Sequence, residues 1–366
     1  MLLVSEEQIT QEAEQGLSVL IIGAGLIGTS LGLALSERGY SVFLDDEASS
    51  HVLVAASLGA GAITTALEPV DADVVVVAVP PAMAGEVVAQ ALKDHPKATV
   101  TDVASVKSPV LDAIRVLGAD LKRYVGSHPM AGSHRSGPLT ARADLFVDRT
   151  WVVTVHMDVE ATRVDQILNM AQAVGATVEL MDPLEHDQAV AEVSHVPQIL
   201  SSLMAGNLID VTRAHLRLAG QGVRDVTRIA ASDEALWTQI ITSNHEAIHL
   251  QLMKLSMALA DVTNHLDSPE AVSAFMKQGI EGVRSLPGKH GRTTTEYVYV
   301  VVEIPDSPGA LADLFAQIGS VGVNVEDLGI EHDRRREVGY LSIAVEPDKA
   351  EALSQAIADA GWTLKP

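Results

Sequence analysis

Over the first half of the chain, short apolar runs alternate with glycine-rich or acidic breaks and amphipathic stretches. "SVLII" (18–22), "SVFL" (41–44), "ADVVVVAV" (72–79), "ATVTDV" (98–103), "RYV" (123–125), "TWVVTV" (150–155) and "TVELM" (177–181) read as strands. Continuous apolar runs of this length suit strands buried on both faces of a parallel sheet. Helices are expected after the first glycines to about Arg38, from Pro109 onward, and near 160–174. This βα alternation predicts an α/β fold of the doubly wound Rossmann type. The carboxyl ends of its strands, at 79–81, 104–108 and 126–132, then share the edge where such sheets bind ligands.

The pattern changes at Asp182, where strands give way to apolar positions at helical spacing up to about Val283. Trp237, Ile241, Asn244, Ile248, Leu252, Leu255 and Leu259 step by three or four. That stripe predicts one helix of about 33 residues, ~50 Å long, too long to bury its apolar side within one small domain. An all-α dimerisation domain is the expectation, and with it a homodimer. "SLPGKHGRTTTE" reads as a linker. Beyond it, strand, helix, two strands, helix and strand follow in the order βαββαβ, a ferredoxin-like module. The expected domains are an extension at 1–16, a nucleotide-binding domain at 17–181, a helical substrate and dimerisation domain at 182–285, a linker at 286–296 and a terminal module at 297–366.

Composition narrows the function classes. The 366 residues are 47% hydrophobic but only 3% aromatic, so the cores must be built of Val, Leu, Ile and Ala. A net charge of −23 argues against nucleic acid, which needs a basic footprint. Any anionic ligand must therefore meet local cations or helix N-termini strong enough to override the global field. The absence of cysteine excludes thiol nucleophiles and zinc–thiolate sites. The opening "MLLVSEEQITQEAEQG" has no signal-peptide pattern, and no apolar run reaches the ~20 residues of a membrane span. A cytoplasmic protein without membrane contact is the default expectation.

Three stretches carry candidate chemistry. In "GAGLIG", Gly23, Gly25 and Gly28 have the GxGxxG spacing directly after the first strand. Gly23 permits the tight turn, Gly25 lets a pyrophosphate approach the backbone, and Gly28 lets helix pack on sheet. Leu26 and Ile27 would present unpaired N–H groups at the helix start. Asp45, 22 residues after Gly23, stands where a carboxylate can accept from ribose hydroxyls, and Val79 and Pro80 border the same edge. Three successive acids, Asp45, Asp46 and Glu47, would repel a 2′-phosphate, so NAD is favoured over NADP. The bare alternative is a set of glycines serving a turn.

"GSHPMAGSHRSG" (126–137) places His128 just after a strand, followed by Pro129. Histidine titrates nearest neutrality and can take the proton of an alcohol as hydride departs. Ser105, at the neighbouring strand end, could bond the same hydroxyl. A satisfied loop histidine is the competing reading, and His134 and Arg135 suit solvent. Further on, His186 and His195 lie nine residues apart, which on a regular helix turns their rings to different sides and makes a shared metal site improbable. Pro197 removes the N–H that would bond the Val193 carbonyl and predicts a kink near His195. For His195, substrate contact and simple packing both stand open. In "AGQGVRDVTRIAASD", Arg224 and Arg228 fall on one side of a short helix, either as a carboxylate clamp or as partners of Asp225 and other acids. No metal is expected.

Taken in order, "GAGLIGTSLGLAL", "DVASVK", "GSHPMAG", "VSHVPQ" and "GVRDVTRIAASDEALW" resemble the prephenate dehydrogenase family over roughly residues 18–285, with a C-terminal ACT domain. The resemblance implies NAD-dependent oxidative decarboxylation of prephenate to 4-hydroxyphenylpyruvate in tyrosine biosynthesis. It implies His128 as the catalytic histidine, Ser105 as its helper at the ring hydroxyl, and His195 with Arg228 as substrate binders. Trp237 matches an aromatic of the family's pocket. Two departures stand out. Gln221 in "AGQG" interrupts a usual glycine run beside the substrate clamp and leaves arogenate open as substrate, and Gln198 stands where relatives often have histidine. The ACT resemblance rests on "DSPGAL" and "GVNVEDL" and implies that Asp306, Gly309, Ala310, Leu311 and Asn324 border a regulatory site for L-tyrosine. A module that only dimerises is the alternative there. A β-hydroxyacid or proline-biosynthesis reductase, and a non-catalytic NAD and amino-acid sensor, are the rival functions.

Overall fold

A computed structural model describes residues 16–64, 70–132, 137–286, 297–305, 307–333 and 338–365. The chain separates into two compact units, Met1–Ala260 and Asp261–Pro366. Most of the extension, most of the linker, His134, Arg135 and Asp306 lie outside the described residues.

The first unit is built on an eight-stranded sheet. Its strands are β1 (Ser18–Ile22), β2 (Ser41–Asp45), β3 (Ala62–Ile63), β4 (Val74–Val77), β5 (Thr99–Asp102), β6 (Tyr124–Pro129), β7 (Thr150–Thr154) and β8 (Thr177–Met181). They lie in the order β3-β2-β1-β4-β5-β6-β7-β8. The first six are mutually parallel in the Rossmann order, and the topological switch falls between β1 and β4. Alternate residues of each strand face opposite sides, so both faces need an apolar cover. Val19, Ile21, Val74 and Val76 join one core layer, and Leu20, Val75 and Val77 join the other. That double burial explains the unbroken apolar runs.

β7 and β8 run opposite to the rest, with β7 antiparallel to β6. The pairing of β6 with β5 stops at Gly126, but its pairing with β7 continues through Ser127, His128 and Pro129. The expected loop position of His128 is thereby corrected: His128 lies within a strand, opposite Val152. The antiparallel ladder carries β6 beyond the edge of its parallel neighbour and holds the imidazole on regular backbone.

After β8, Asp182 caps the helix Pro183–Val190 by accepting from the N–H groups of Leu184 and Glu185, with Pro183 in its first turn. A π-helical turn, Ala191–His195, then joins it to the helix Val196–Asn207. The kink expected from Pro197 takes this form, with the Val196 N–H bonding back to the Ala191 carbonyl. The long helix expected to carry the stripe from Trp237 is broken at Asn244 into Glu234–Ser243 and His245–Asn264. At the break the Asn244 amide is buried and bonded outside its own helix, which fixes the interruption. The stripe is buried at Ile248 and exposed at Leu255 and Leu259.

In the second unit, β9 (Val298–Pro305), β10 (Asp327–Asp333), β11 (Val338–Val345) and β12 (Thr363–Lys365) form an antiparallel sheet in the order β10-β11-β9-β12. Helices Ala310–Val321 and Pro347–Asp359 intervene, and Leu314, Ile318, Leu353 and Ile357 pack on Val300, Val302, Leu341 and Ile343. The helix Pro269–Arg284 also belongs to this unit. Among the described residues, no helix is long and apolar enough to cross a membrane.

Candidate active site

The glycine turn lies at the switch point. Gly23 has φ +109°, a conformation that side chains rarely adopt, and a Cβ there would collide with the Ala78 carbonyl after β4. A Cβ on Gly28 would strike the Gly23 carbonyl. At Gly25, by contrast, a Cβ would meet only open space, so the backbone is accessible to a ligand. The helix Leu26–Ser36 begins there without a side-chain cap, leaving the N–H groups of its first turn available, Leu26 and Ile27 included. Asp46 is engaged by the Ala24 N–H at 2.6 Å and the Ala48 N–H at 2.7 Å. Asp45 ends β2 exposed, Val79 is half-buried, and Pro80 is exposed beyond β4. These groups fit a dinucleotide.

Two strands away, His128 heads a chain of buried groups. Its Nδ1 lies 2.8 Å from His186 Nε2, and His186 Nδ1 lies 2.9 Å from Asp187 Oδ1. The Asp187 carboxylate also accepts from the N–H groups of Lys107 and Ser108, both at 2.8 Å. Burial, followed by the neighbouring His186, Lys107 and His195, holds the His128 imidazole well below its ordinary value. Burial likewise lowers His186 against the pull of Asp187. Burial would raise Asp187, but the bonds from His186, Lys107 and Ser108 together keep it below the ordinary carboxylate value. At neutral pH the arrangement is therefore two neutral imidazoles ending on a carboxylate.

A second cluster lies behind it. Lys107 Nζ is fully buried, paired with Asp102 and donating to the Ser127 carbonyl at 2.6 Å. Asp102 further accepts from Tyr124 Oη at 2.7 Å and from the Ala104 N–H at 3.0 Å. This cluster joins the end of β5 to β6 one residue before His128. Ser105 lies half-buried in the turn after β5, and its hydroxyl has no protein partner among the described residues.

His195 is the third imidazole. On regular helix it would point away from His186, but the π turn Ala191–His195 takes up an extra residue, and His195 feels the charge of His186. Asn244 Nδ2 ties His195 to the residue after His186, 2.8 Å from the Asp187 carbonyl and 3.0 Å from His195 Nδ1. Burial first, and then His186, depress His195 to about 4. Trp237 meets the His195 ring edge-on at 6.1 Å. Gln198 is buried one helical turn later. The helix Val196–Asn207 packs on Gln221–Thr227 and on the turn Arg228–Ala230, where Arg224 and Arg228 are exposed. Among the described residues neither arginine is paired with an acid, since Asp225 instead accepts from Gln221 at 2.7 Å.

His186, Asp187 and Asn244 are the members that sequence reading missed. An asparagine inside an apolar stripe and an aspartate directly after a histidine were the available signals. No group of three or more candidate ligands is arranged to hold a metal among the described residues. In the second unit, Gly309 has φ +94° at the start of its helix, Ala310 is buried, Leu311 is exposed, and Asn324 donates to Glu326 at 2.6 Å.

Known proteins share this arrangement of elements. Residues 31–180 match the family described as "Prephenate dehydrogenase, nucleotide-binding domain", and residues 182–277 match "Prephenate dehydrogenase, dimerization domain". The chain is 33% identical over 359 residues to "Probable prephenate dehydrogenase NovF" of Streptomyces niveus, covering 94% of this chain and 98% of that protein. It is 27% identical to a prephenate dehydrogenase of Lactococcus lactis, over 92% of this chain and 96% of that one. Among solved structures, prephenate dehydrogenase from Aquifex aeolicus in complex with hydroxyphenyl propionate and NAD+ superposes with a TM-score of 0.67 at 26% identity, covering 73% of this chain and 97% of that chain.

Proposed function

Because the chain belongs to the prephenate dehydrogenase family, we propose that it converts prephenate to 4-hydroxyphenylpyruvate, with NAD as its cofactor. The observation that carries this reading is His128 at the end of β6, whose Nδ1 is engaged by His186 while Nε2 has no partner among the described residues. NAD, when bound, accepts the hydride from the hydroxyl-bearing ring carbon. The open Gly25, the first-turn N–H groups of Leu26 and Ile27, and Asp45 are the residues that would hold it, with Val79 and Pro80 at the border. Three acids in succession at 45–47 disfavour a 2′-phosphate there.

His128 Nε2 takes the proton of the ring hydroxyl as hydride leaves, and Ser105 orients that hydroxyl. The dienone then loses its ring carboxylate as carbon dioxide. The electron pair restores the aromatic ring, and the oxygen recovers its proton. His195 offers a neutral donor, while Arg228 and Arg224 supply the positive charge a dianionic substrate needs in an acidic protein. Trp237 walls the pocket beside His195. Gln221, bonded to Asp225, adjoins the clamp where the substrate's side chain is sensed.

The match to a dimerization domain, together with the exposed apolar residues Leu255 and Leu259, supports a homodimer. For the second unit the reading is an ACT module responding to L-tyrosine. Its support is the βαββαβ order, a ferredoxin-like sheet and a left-handed Gly309 at the helix start. Absorbance of NADH on mixing enzyme with NAD and prephenate, or arogenate, with and without tyrosine, tests the activity, the substrate and the response to tyrosine. Turnover with prephenate is expected, with arogenate slower and tyrosine inhibitory. No NADH from either substrate would overturn the assignment.

A further inference from the structure

We propose that Asp187 is the positioning residue for both substrate-facing histidines, setting His128 as a hydrogen-bond acceptor and His195 as a donor. This rests on the reading of His128 as the proton acceptor. A carboxylate can only accept, and that of Asp187 is already held by the N–H groups of Lys107 and Ser108 at the start of the helix Ser108–Val116. His186 Nδ1, 2.9 Å away, must therefore carry the proton. A neutral His186 then has only a lone pair at Nε2, so His128 Nδ1, 2.8 Å away, must donate to it. The remaining nitrogen of His128, Nε2, is left with its lone pair and cannot be the protonated one while the chain is intact.

The other branch starts from the backbone of the same residue. The Asp187 carbonyl can only accept, which turns the amide nitrogen of Asn244 toward it at 2.8 Å. The second hydrogen of that amide points to His195 Nδ1 at 3.0 Å, so Nδ1 accepts and Nε2 carries the hydrogen. Two histidines of one site thus receive opposite polarity from one residue. A substrate would then give its hydroxyl proton to His128 and accept a hydrogen bond from His195. Neither histidine chooses its tautomer freely, because each is tied by its Nδ1 to a group whose own role is fixed.

Long-range 15N NMR of the free enzyme, with histidines assigned by their loss in His128→Asn and His195→Gln, reads the tautomers without substrate or NAD. Protonation on Nδ1 is expected for His128 and on Nε2 for His195; the reverse at either ring would overturn the proposal. Since that readout is independent of turnover, it separates failure of this inference from failure of the functional assignment. Kinetics supply the second arm. His186→Leu removes the acceptor and should lower kcat by about 10²–10⁴, the scale of losing a correctly oriented tautomer, with KM for NAD unchanged. His186→Gln can accept from His128 and donate to Asp187, and should recover about tenfold or more of that loss if orientation is the role. Equal loss in both variants, at unchanged thermal stability, would sink the positioning role.

Discussion

Two buried polar chains meet at the ends of β5 and β6, and they differ in how they finish. The Asp102–Lys107–Tyr124 cluster closes on itself: the ammonium, the carboxylate and the phenol each find partners within the protein. The Asp187–His186–His128 chain runs from an equally well-held carboxylate to a nitrogen with no partner among the described residues. Both carry the desolvation cost of burying ionisable groups. The closed cluster joins two strands, whereas the open chain ends on the imidazole proposed above as the proton acceptor. Burial and charge alone do not separate a structural cluster from a chemical one; the unfilled end does.

The sharpest break in that comparison is His128→Asn, which removes the open end. It should lower kcat by about 10²–10⁴, the usual worth of a general base, and leave the unfolding free energy nearly unchanged. Near-wild-type turnover would place the proton acceptor elsewhere. Lys107→Met does the opposite, stranding a buried Asp102 carboxylate, and should cost about 3–5 kcal/mol of stability in denaturant titrations. A loss below about 1 kcal/mol would show that the closed cluster is not a structural rivet.

Acid distinguishes the chains more gently. His128, His186 and His195 all have folded values below the ordinary one, so the unfolded chain takes up protons first as the pH falls. Stability should be fully present above about pH 6.5 and decline toward pH 4. His195, depressed to about 4, contributes up to about 3 kcal/mol of that decline, at roughly 1.4 kcal/mol per pH unit. Melting temperatures measured between those limits would check it, and a flat profile would mean the rings are not held neutral. Smallest is Arg228→Ala. It should raise the substrate KM about 10–100-fold, the worth of a charge-assisted hydrogen bond, with kcat kept. Unchanged saturation would remove Arg228 from the site.

Much of the scaffold was legible in the chain. The strands of the parallel sheet declare themselves because burial on both faces leaves an unbroken apolar run, and the GxGxxG turn because Gly23 and Gly28 have no room for a side chain. The outer part of β6 was harder, since "HPMAG" reads as loop until β7 is known to pair with it. The stripe from Trp237 to Leu259 looked continuous because Asn244 keeps the helical spacing; its break depends on partners 57 and 49 positions away.

The order of elements, the nucleotide turn and the presence of an imidazole at the sheet edge were decided by local pattern, because backbone geometry and burial act over a few residues. Which imidazole is joined to which, and where each proton sits, was decided only in three dimensions. His128 and His186 are 58 residues apart, and Lys107 and Asp187 are 80. A hydrogen bond imposes direction only at contact distance, so no spacing along the chain could reveal that polarity before the helix after β8 folded back on the strand ends.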